Sequence, residues 1–521
     1  MIIFIECILL IIVVIVLGKM LYHSFLKKKL YSLLYTYSTK EKEEVNENYL
    51  KVRFDKDINE MLQRDLELEQ LFSIINHTYT RVGQEYMHAQ MFIDNQDHEQ
   101  LEAIIKALEN ENQLKEVLYR LYQLSRAYSS SLNFFLSQSF LSPLSLILMF
   151  CSTLIFIGLL MSCFFNAQML AFVFIWCAVL SAMYTHYNSK TQDMMSECMS
   201  YWYVVDCLQK LNQLSIFSKE ESQEIERMVA KSKRYTRISR IIQVISYVDI
   251  FYFTEFIKAM FFIPIYQCYI LLKNKDVLFD DYLKMYEYVG KVDMAVSLIV
   301  VRNHFQTCAP QISHEPILSM REGYHPIIKD PVKNSFSTSS SCLITGSNAS
   351  GKSTFLKTVG INMIMAKAYH TCFADEFIYY PYQLCSSIHV QDDLKGGESY
   401  YIREIKTLKM ILDEMKTKKC MILIDEILRG TNEKERIAIS KVILDYMFQS
   451  DSLIIVTTHD LSIVDYFSDI DKYCFNDRVE NDLWQSDYKI RKGVCTIGNA
   501  IRLLEVYDFD EKIQEQLKKP I

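Results

Sequence analysis

The sequence predicts two structural parts: a mostly α-helical part that contains transmembrane helices, followed by an α/β domain with a mainly parallel sheet. Two apolar runs lie in a window, residues 127–189, that contains no Asp, Glu, Lys or Arg. After His325-Pro326 the pattern changes, and short β-rich apolar runs alternate with helical segments. Apolar strands that alternate with helices are typical of a parallel sheet covered on both faces. We therefore expect the α/β domain over residues 306–521.

The composition excludes some functional classes. The net charge of −7 argues against a protein whose whole surface binds nucleic acid, although a local basic patch remains allowed. The fourteen cysteines are scattered, without a CxxC pair or a Cys/His zinc spacing. We expect reduced, buried thiols in a cytosolic or membrane-embedded protein.

The N-terminal run from Ile2 to Gly18 is apolar apart from Glu6 and is close to the ~17-residue lower limit for a membrane-spanning helix. No basic segment precedes it and no small-residue cleavage site follows it, so we expect a retained anchor. Lys19 and the lysines at 27–29 come directly after it. Because basic residues flank the cytoplasmic ends of spans, we predict an N-terminal transmembrane anchor with a basic flank over residues 1–30, leading into the cytoplasm.

A transmembrane hairpin is predicted over residues 141–187. Its two apolar runs, at about 144–165 and 169–184, are separated only by Asn166-Ala167-Gln168. A soluble helical pair would carry charges on its outer faces, whereas two uncharged helices of about 20 residues fit a membrane. Both ends of a hairpin lie on one side. We expect a multi-pass protein of the cell membrane, with lipid as a partner and the α/β domain in the cytoplasm.

The rest of the helical part, residues 31–140 and 188–305, places apolar residues three and four positions apart with charges between them. This pattern predicts amphipathic helices. Charges interrupt a third apolar region, residues 241–272, which we interpret as a buried or interfacial helix. Two interpretations of the basic run 231–240 remain open: contact with anionic headgroups or phosphates, or a solvated helix face.

The α/β domain contains the strongest chemical signal. The segment CLITGSNASGKST includes GxxxxGKS, with an apolar strand before it and a helical pattern after it, as a phosphate-binding loop requires. In such a loop, backbone N–H groups surround phosphate oxygens, the lysine neutralises the β- and γ-phosphates and the serine ligates Mg²⁺. We therefore expect ATP and Mg²⁺ as ligands. The predicted nucleotide-binding residues are Gly346, Ser347, Asn348, Ala349, Ser350, Gly351, Lys352, Ser353 and Thr354.

Two further strands supply the second half of such a site. MILIDE ends in Asp425, expected to hold Mg²⁺ with Ser353, and in Glu426, expected to orient or deprotonate the attacking water. SLIIVTTH ends at His459, a candidate sensor of the γ-phosphate. This combination is typical of ATPases whose two nucleotide sites lie between two subunits. The segment DDLKGGESYYIRE, residues 392–404, is the candidate for contact with the γ-phosphate of the opposite subunit.

These motifs resemble those of the MutS mismatch-repair ATPases. ITGSNASGKSTFLK is similar to their ITGPNMGGKST, DDLKGGESYYIRE to DDLxxGxSTFxxE, DEILRGTNEKERIAIS to DExGRGTxxxxGxAIA, and TTHD to ATHY. EGYHPII and KGVCTIGNAIRLLE extend the resemblance over residues 320–505. It implies an α/β P-loop NTPase domain of the ABC/MutS type after a core/lever region. It also implies a homodimer with composite ATP sites, whose catalytic residues are Lys352, Glu426, His459 and, in trans, Ser399 on a turn before a helix at Tyr400.

The chain departs from that family pattern in three places. The anchor occupies the end where the family has its mismatch-reading domain, and the hairpin lies where the family inserts its DNA clamp. The aromatic residue that stacks on adenine in the family is replaced near Pro331-Val332. Three functions remain open: a membrane-anchored MutS-like ATPase acting on mismatched or branched DNA, a mechanochemical membrane ATPase with no DNA role, and a non-hydrolysing scaffold.

Overall fold

The computed structural model describes residues 2–34, 45, 48–54, 59–93, 98–127, 132, 142–246, 253–347, 350–388, 400–428, 432–480 and 483–494. Before residue 306, the regular structure in these ranges is helical. In chain order the helices are α1 (Ile2–Leu33), α2 (Asn48–Phe54), α3 (Glu60–Asp65), α4 (Leu68–Ile75), α5 (Arg81–Gln90), α6 (His98–Ala107), α7 (Glu111–Ala127), α8 (Pro143–Ser162), α9 (Leu170–Asn212), α10 (Lys219–Ser246), α11 (Phe253–Met260), α12 (Ile263–Lys273) and α13 (Lys275–His304).

After residue 306, strands and helices alternate, as the apolar pattern predicts. The elements are β1 (Gln311–Ile312), β2 (Leu318–Gly323), β3 (Asn334–Thr338), β4 (Cys342–Thr345), α14 (Lys352–Tyr369), β5 (Glu376–Tyr379), β6 (Gln383–Ser387), α15 (Tyr400–Met415), β7 (Cys420–Asp425), α16 (Glu433–Phe448), β8 (Leu453–Thr458), α17 (Leu461–Tyr466), β9 (Asp471–Glu480) and β10 (Leu483–Lys492).

Six of these strands form the main sheet, in the order β10-β9-β4-β8-β7-β6. Neighbours from β9 to β6 pair in parallel, and β10 pairs with β9 in the antiparallel direction. A smaller sheet has the order β1-β5-β2-β3. The predicted mainly parallel sheet is therefore present.

The main sheet is covered on both faces, which explains why its central strands are continuously apolar. Every residue of β4, β7 and β8 is buried. Successive residues of β7 point to opposite faces. Leu423 belongs to the large core that includes α14, whereas Ile422 packs in a second core with Leu408 of α15 and Leu444 of α16.

Two segments are long and apolar enough to cross a membrane by length and composition, Pro143–Ser162 and Ala167–Tyr187. A short 3₁₀ turn joins them, and the Asn166 side chain accepts a hydrogen bond from the Gln168 N–H at 3.0 Å. Only 17% and 6% of their most apolar windows are buried, so most of this apolar surface points away from protein. The side chains of residues 2–16 lie outside the described residues, so the anchor stays a prediction.

Helix α9 extends far beyond the predicted hairpin. It runs for 43 residues, from Leu170 to Asn212. Its first half is the second arm of the hairpin, and its second half enters the helical core, where Tyr201 and Trp202 are buried. The boundary expected at residues 187–188 therefore lies within one helix, which connects the hairpin directly to the helical part.

The third apolar region, residues 241–272, begins in the last turns of α10 and continues in two short helices, where the sequence suggested one helix; residues 247–252 lie outside the described residues. Helices α11 and α12 are separated at Phe262, whose φ of 49° is left-handed and ends a regular helix. Phe262 is buried in a cluster with Met149 and Phe156 of the hairpin. The Tyr266 hydroxyl donates a hydrogen bond to the Leu146 carbonyl at 3.3 Å. The region thus packs against the side of the hairpin.

Candidate functional site

The predicted phosphate loop connects β4 with α14, at the carboxyl edge of the main sheet. Gly346 and Gly351 have φ values of 153° and 101°, which side chains other than glycine rarely adopt. A Cβ atom at Gly346 would lie 2.9 Å from both the Phe475 carbonyl oxygen and the Ser350 hydroxyl. The loop is therefore folded too tightly at this point for any other residue.

Lys352 lies at the start of α14 and is buried. Its ammonium group donates hydrogen bonds to the carbonyl oxygens of Gly346 and Ser347, at 2.8 and 2.7 Å, so it bridges the loop. The Ser350 hydroxyl is also buried, and it has no hydrogen-bond partner among the described residues. Of the predicted loop residues, Asn348 and Ala349 lie outside the described residues.

The two predicted magnesium ligands are in direct contact. The Ser353 hydroxyl donates a hydrogen bond to Asp425 at 2.7 Å, and the Thr457 hydroxyl donates one to the other carboxylate oxygen at 2.5 Å. The strand order explains this contact, because β8 lies between β4 and β7 and the parallel strands all end at the same edge. Thr457, which the sequence analysis did not single out, therefore orients the Asp425 carboxylate.

These residues fit a magnesium ion that is shared with a nucleotide. Mg²⁺ prefers oxygen ligands and is usually held by one or two carboxylates together with substrate phosphates. Ser353 and Asp425 supply one hydroxyl and one carboxylate. Within the described ranges, no group of three or more His, Cys, Asp and Glu side chains could hold a metal alone. Phosphate oxygens and water would complete the coordination.

The predicted general base and the predicted phosphate sensor also lie together. Glu426 Oε1 is 2.9 Å from His459 Nδ1, and the Glu426 backbone N–H donates to the Thr457 carbonyl at 3.1 Å. Glu426 has a left-handed φ of 57°, a strained conformation for a residue with a side chain. The turn directs the Glu426 carboxylate toward the end of β8. The neighbouring Asp460 forms an ion pair with Arg436 at 3.0 Å.

A cavity of about 320 Å³ lies beside the phosphate loop. Its lining includes Pro331 and Val332, the position where the sequence lacks the expected aromatic residue, and Tyr488 of β10. Tyr488 also lies against the loop, since a Cβ at Gly351 would be 3.1 Å from its ring. His325 of the EGYHPII segment lines the same cavity, and burial lowers its pKa to about 4. The cavity can hold a planar base between apolar and aromatic walls.

Helix α14 connects the phosphate loop to the helical part. Near its middle, Lys357 forms an ion pair with Glu67 at 2.6 Å. At the C-terminal end of α14, His370 Nδ1 lies 2.9 Å from a carboxylate oxygen of Glu102 of α6. The same carboxylate forms a two-pronged ion pair with Arg302 of α13. Burial opposes ionisation of Glu102, but the hydrogen bonds from His370 and Arg302 outweigh it and lower the pKa of this carboxyl to about 2.

A second connection reaches the strand before the DDLKGGESYYIRE segment. The buried carboxylate of Asp65 accepts hydrogen bonds from the Ser386 hydroxyl at 2.7 Å and the Ile388 N–H at 2.9 Å. Residues 389–399, and with them Ser399, lie outside the described residues. The helix expected after Ser399 does begin at Tyr400. Asp65 thus ties the helical part to the start of the segment predicted to act in trans.

Comparison with known proteins places this site in a family. Residues 342–519 match the family model described as MutS domain V. This part of the chain is similar to proteins of the MutS family. The match to the MutS domain begins at the first residue of β4 and contains the phosphate loop, Asp425, Glu426 and His459. The resemblance read from the motifs is confirmed.

The curated MutS relatives are longer proteins. MutS protein homolog 4 of Mus musculus is 31% identical over 244 residues, which are 45% of this chain and 24% of that protein. The DNA mismatch repair protein MutS of Methanococcoides burtonii is 32% identical over 171 residues, 30% of this chain and 19% of that protein. The DNA mismatch repair protein MutS of Thermotoga petrophila is 28% identical over 200 residues, which are 37% of this chain and 24% of that protein. The chain therefore matches about a quarter or less of the length of these MutS proteins.

Proposed function

We propose that this protein is a membrane-tethered ATPase that hydrolyses ATP at composite sites in a homodimer. One observation carries the proposal: the Ser353–Asp425–Thr457 cluster and the Glu426–His459 pair converge at the edge of the sheet where the phosphate loop begins. A non-hydrolysing scaffold would not need a carboxylate held at that place by a strained backbone. The MutS domain supports the same activity.

In the proposed mechanism, the residues of this chain bind, orient and move a proton. The loop backbone and Lys352 bind the phosphates, so the ammonium exchanges its contacts with Gly346 and Ser347 for phosphate oxygens. The Mg²⁺ that Ser353 and Asp425 would hold supplies positive charge to those oxygens. Glu426 accepts a proton from the attacking water, and His459 positions the Glu426 carboxylate.

The dimer is part of the proposal because the family resemblance implies that each site is completed by the neighbouring subunit. The resemblance assigns to Ser399 the contact with the γ-phosphate of the neighbouring subunit. Ligand binding across two subunits favours closure, since each nucleotide then contacts both. Closure of the α/β domains would move the helical part, to which α14 is joined by the Lys357–Glu67 ion pair and by the contact of His370, directly after α14, with Glu102.

Membrane tethering rests on the exposed apolar hairpin. Many large apolar side chains of α8 are not covered by protein; Leu148 and Leu154, for example, are each 51% exposed. Contiguous exposed apolar surface of this extent is rare on soluble monomers and marks contact with another apolar phase. A bilayer fits the 20-residue length of α8. The lysines after the predicted anchor favour a cytoplasmic ATPase domain.

Two uses of the ATPase are favoured by different observations. Curated relatives are named as DNA mismatch repair proteins, and this favours a DNA substrate, mismatched or branched, for the helical part. The continuous helix α9 favours the alternative, a mechanochemical membrane ATPase with no DNA role, because movement of the helical part would pass directly into the hairpin. We favour DNA because the family similarity extends through the whole ATP site.

ATP turnover of the detergent-solubilised protein tests both parts of the proposal. Wild-type protein should release phosphate from ATP, and Lys352→Ala should not. A panel of homoduplex, mismatched and branched DNA then separates the two uses. Salt-sensitive DNA binding that changes turnover supports the DNA role. Turnover that responds to lipid and to none of the DNAs would overturn that role, while silent wild-type protein would overturn the ATPase itself.

A further inference from the structure

A cavity of about 610 Å³ lies between α1, α7 and α9 of the helical part. It lies far in sequence from the ATP site, and neither hydrolysis nor dimer closure uses it. Four tyrosines and three cationic side chains contribute to its lining. The tyrosines are Tyr22, Tyr119, Tyr122 and Tyr203.

The cavity has an excess of positive charge. Arg120, Arg126 and Lys210 line it, with Asp206 as the opposing carboxylate. Asp206 pairs with Lys210 at 2.5 Å. Arg126 is exposed and makes no ion pair with any residue of the described ranges. Arg126 therefore keeps its positive charge available to a ligand, whereas Arg120 and Lys210 each have a carboxylate partner.

The Arg120 guanidinium shows where an acceptor is missing. Its Nη atoms contact Glu116 at 2.5 Å and Gln123 at 3.3 Å. Its Nε–H is buried, and among the described residues it has no hydrogen-bond acceptor. A buried donor without a partner costs free energy, so an oxygen supplied by a ligand would stabilise this arrangement. His23, which packs on Tyr119 with ring centroids 5.1 Å apart, adds another polar group to the lining.

We propose that this cavity binds the phosphate group of an anionic phospholipid. Guanidinium and ammonium groups with tyrosine hydroxyls are donors, and phosphate is an acceptor with several oxygens and a negative charge. Tyr22 comes four residues after the apolar run that ends at Gly18, about 6 Å along a helix. If that run is the anchor, the cavity lies at headgroup depth, where tyrosines and basic pockets are typical.

The choice of a lipid rests on the tether proposed above, whereas phosphate recognition by the cavity does not. A soluble phosphate compound would offer the same chemistry. The test therefore compares dioctanoyl phosphatidylglycerol, dioctanoyl phosphatidylcholine and inorganic phosphate. Each is titrated into full-length protein in an uncharged detergent, and the thermal unfolding midpoint is recorded.

The decisive variant is Arg126→Gln combined with Lys210→Gln, which removes two cavity charges at exposed and half-exposed positions. The matched control is Lys219→Gln combined with Arg227→Gln, two exposed positions on α10. Wild type and control should be stabilised saturably by phosphatidylglycerol and not by phosphatidylcholine. The cavity variant should need at least about tenfold more phosphatidylglycerol, with unchanged basal ATP turnover.

Equal titrations of the cavity variant and the control would overturn the site. Stabilisation by inorganic phosphate at the concentrations that work for phosphatidylglycerol would overturn the lipid assignment. Fractionation of cells tests the tether separately: a protein found only in the soluble fraction refutes the tether, while the phosphate titration still decides whether the cavity binds an anion.

Discussion

Strand β7 and helix α8 are both strongly apolar, yet they lie in opposite surroundings. All six residues of β7 are buried between two layers of helices. Most of the large side chains of α8 point outward, with Phe150 58% and Leu154 51% exposed. Apolar surface is unfavourable in water, at about 25 cal/mol per Å², so an exposed surface of this size needs another apolar partner. Protein covers β7, whereas the tether proposed above would have lipid cover α8.

The largest expected effect concerns the ATP site, where Glu426 directly follows the buried strand β7. Glu426→Gln keeps the shape of the side chain but removes its ability to accept a proton. We expect ATP turnover, measured by phosphate release, to fall by about 10²- to 10⁴-fold while binding of a fluorescent ATP analogue persists. Glu433→Gln, an exposed position at the start of α16, is the matched control. Turnover within a few-fold of wild type would remove Glu426 from the mechanism.

Replacing one leucine by alanine in β7 and one in α8 tests the comparison itself. Leu423→Ala removes a fully buried side chain of β7 and should cost about 2–5 kcal/mol of unfolding free energy. Leu154→Ala on α8 should cost less than about 0.5 kcal/mol in detergent, because its side chain has little protein around it. Denaturation of both variants in the same detergent checks this. Equal losses would mean that protein, such as a second subunit, covers the hairpin.

The helical part also has a protein-packed core, and the buried Glu85 in it leads to a prediction about the pH dependence of stability. Burial raises the pKa of Glu85 from 4.5 to about 7, although the hydrogen bond from the Tyr286 hydroxyl at 2.7 Å and the Arg81 charge oppose the rise. Because the pKa of Glu85 is higher in the folded protein than in the unfolded one, the contribution of Glu85 to the free energy of unfolding is fully present below pH 4.5. It is lost as the pH rises through about 7.

Glu85→Gln should therefore flatten the pH dependence of the unfolding free energy between pH 4.5 and 7 and stabilise the protein at pH 8. The expected gain at pH 8 is on the order of 2 kcal/mol. Denaturant unfolding at several pH values measures it. Glu99→Gln, on the first turn of α6, serves as a control. A variant that keeps the slope of the wild type would show that Glu85 is ionised in the folded protein.

The smallest effect concerns the cavity beside the phosphate loop. Tyr488→Ala removes the aromatic wall and should raise the KM for ATP about tenfold, with little change in kcat, because the base lies away from the reacting phosphate. Tyr488→Phe retains the ring and should behave as wild type. Steady-state kinetics of the two variants would contradict the assignment if the alanine variant kept the wild-type KM.

The residues that could be predicted share one property: their chemistry is encoded in contiguous motifs. Lys352, Ser353, Asp425 and His459 each lie at the end of a strand or shortly after it, and parallel strands end at one edge, so their meeting could be anticipated. Thr457 was missed although it lies in the same SLIIVTTH segment. A hydroxyl next to a strand end is common, and only the contact with Asp425 distinguishes it.

Tyr488 and the α1–α7–α9 cavity could not be predicted from the sequence. Tyr488 is more than a hundred residues from the loop it touches, on an antiparallel edge strand with a left-handed φ of 52° at that position. The cavity collects residues from three helices that are widely separated in the chain. Such sites depend on tertiary packing, which helical periodicity does not specify. The helical break at Phe262 escaped prediction for the same reason.

The central claim, a composite site completed in trans, is tested most directly by mixing two inactive variants. Lys352→Ala removes phosphate binding within a subunit, and Ser399→Ala removes the contact to the neighbour. Each homodimer should be nearly silent. Equal co-expression should produce heterodimers with one intact site, and phosphate release should recover to about a quarter of wild type, since half the dimers are mixed and each has one of two sites. A mixture as silent as its components would contradict the composite site.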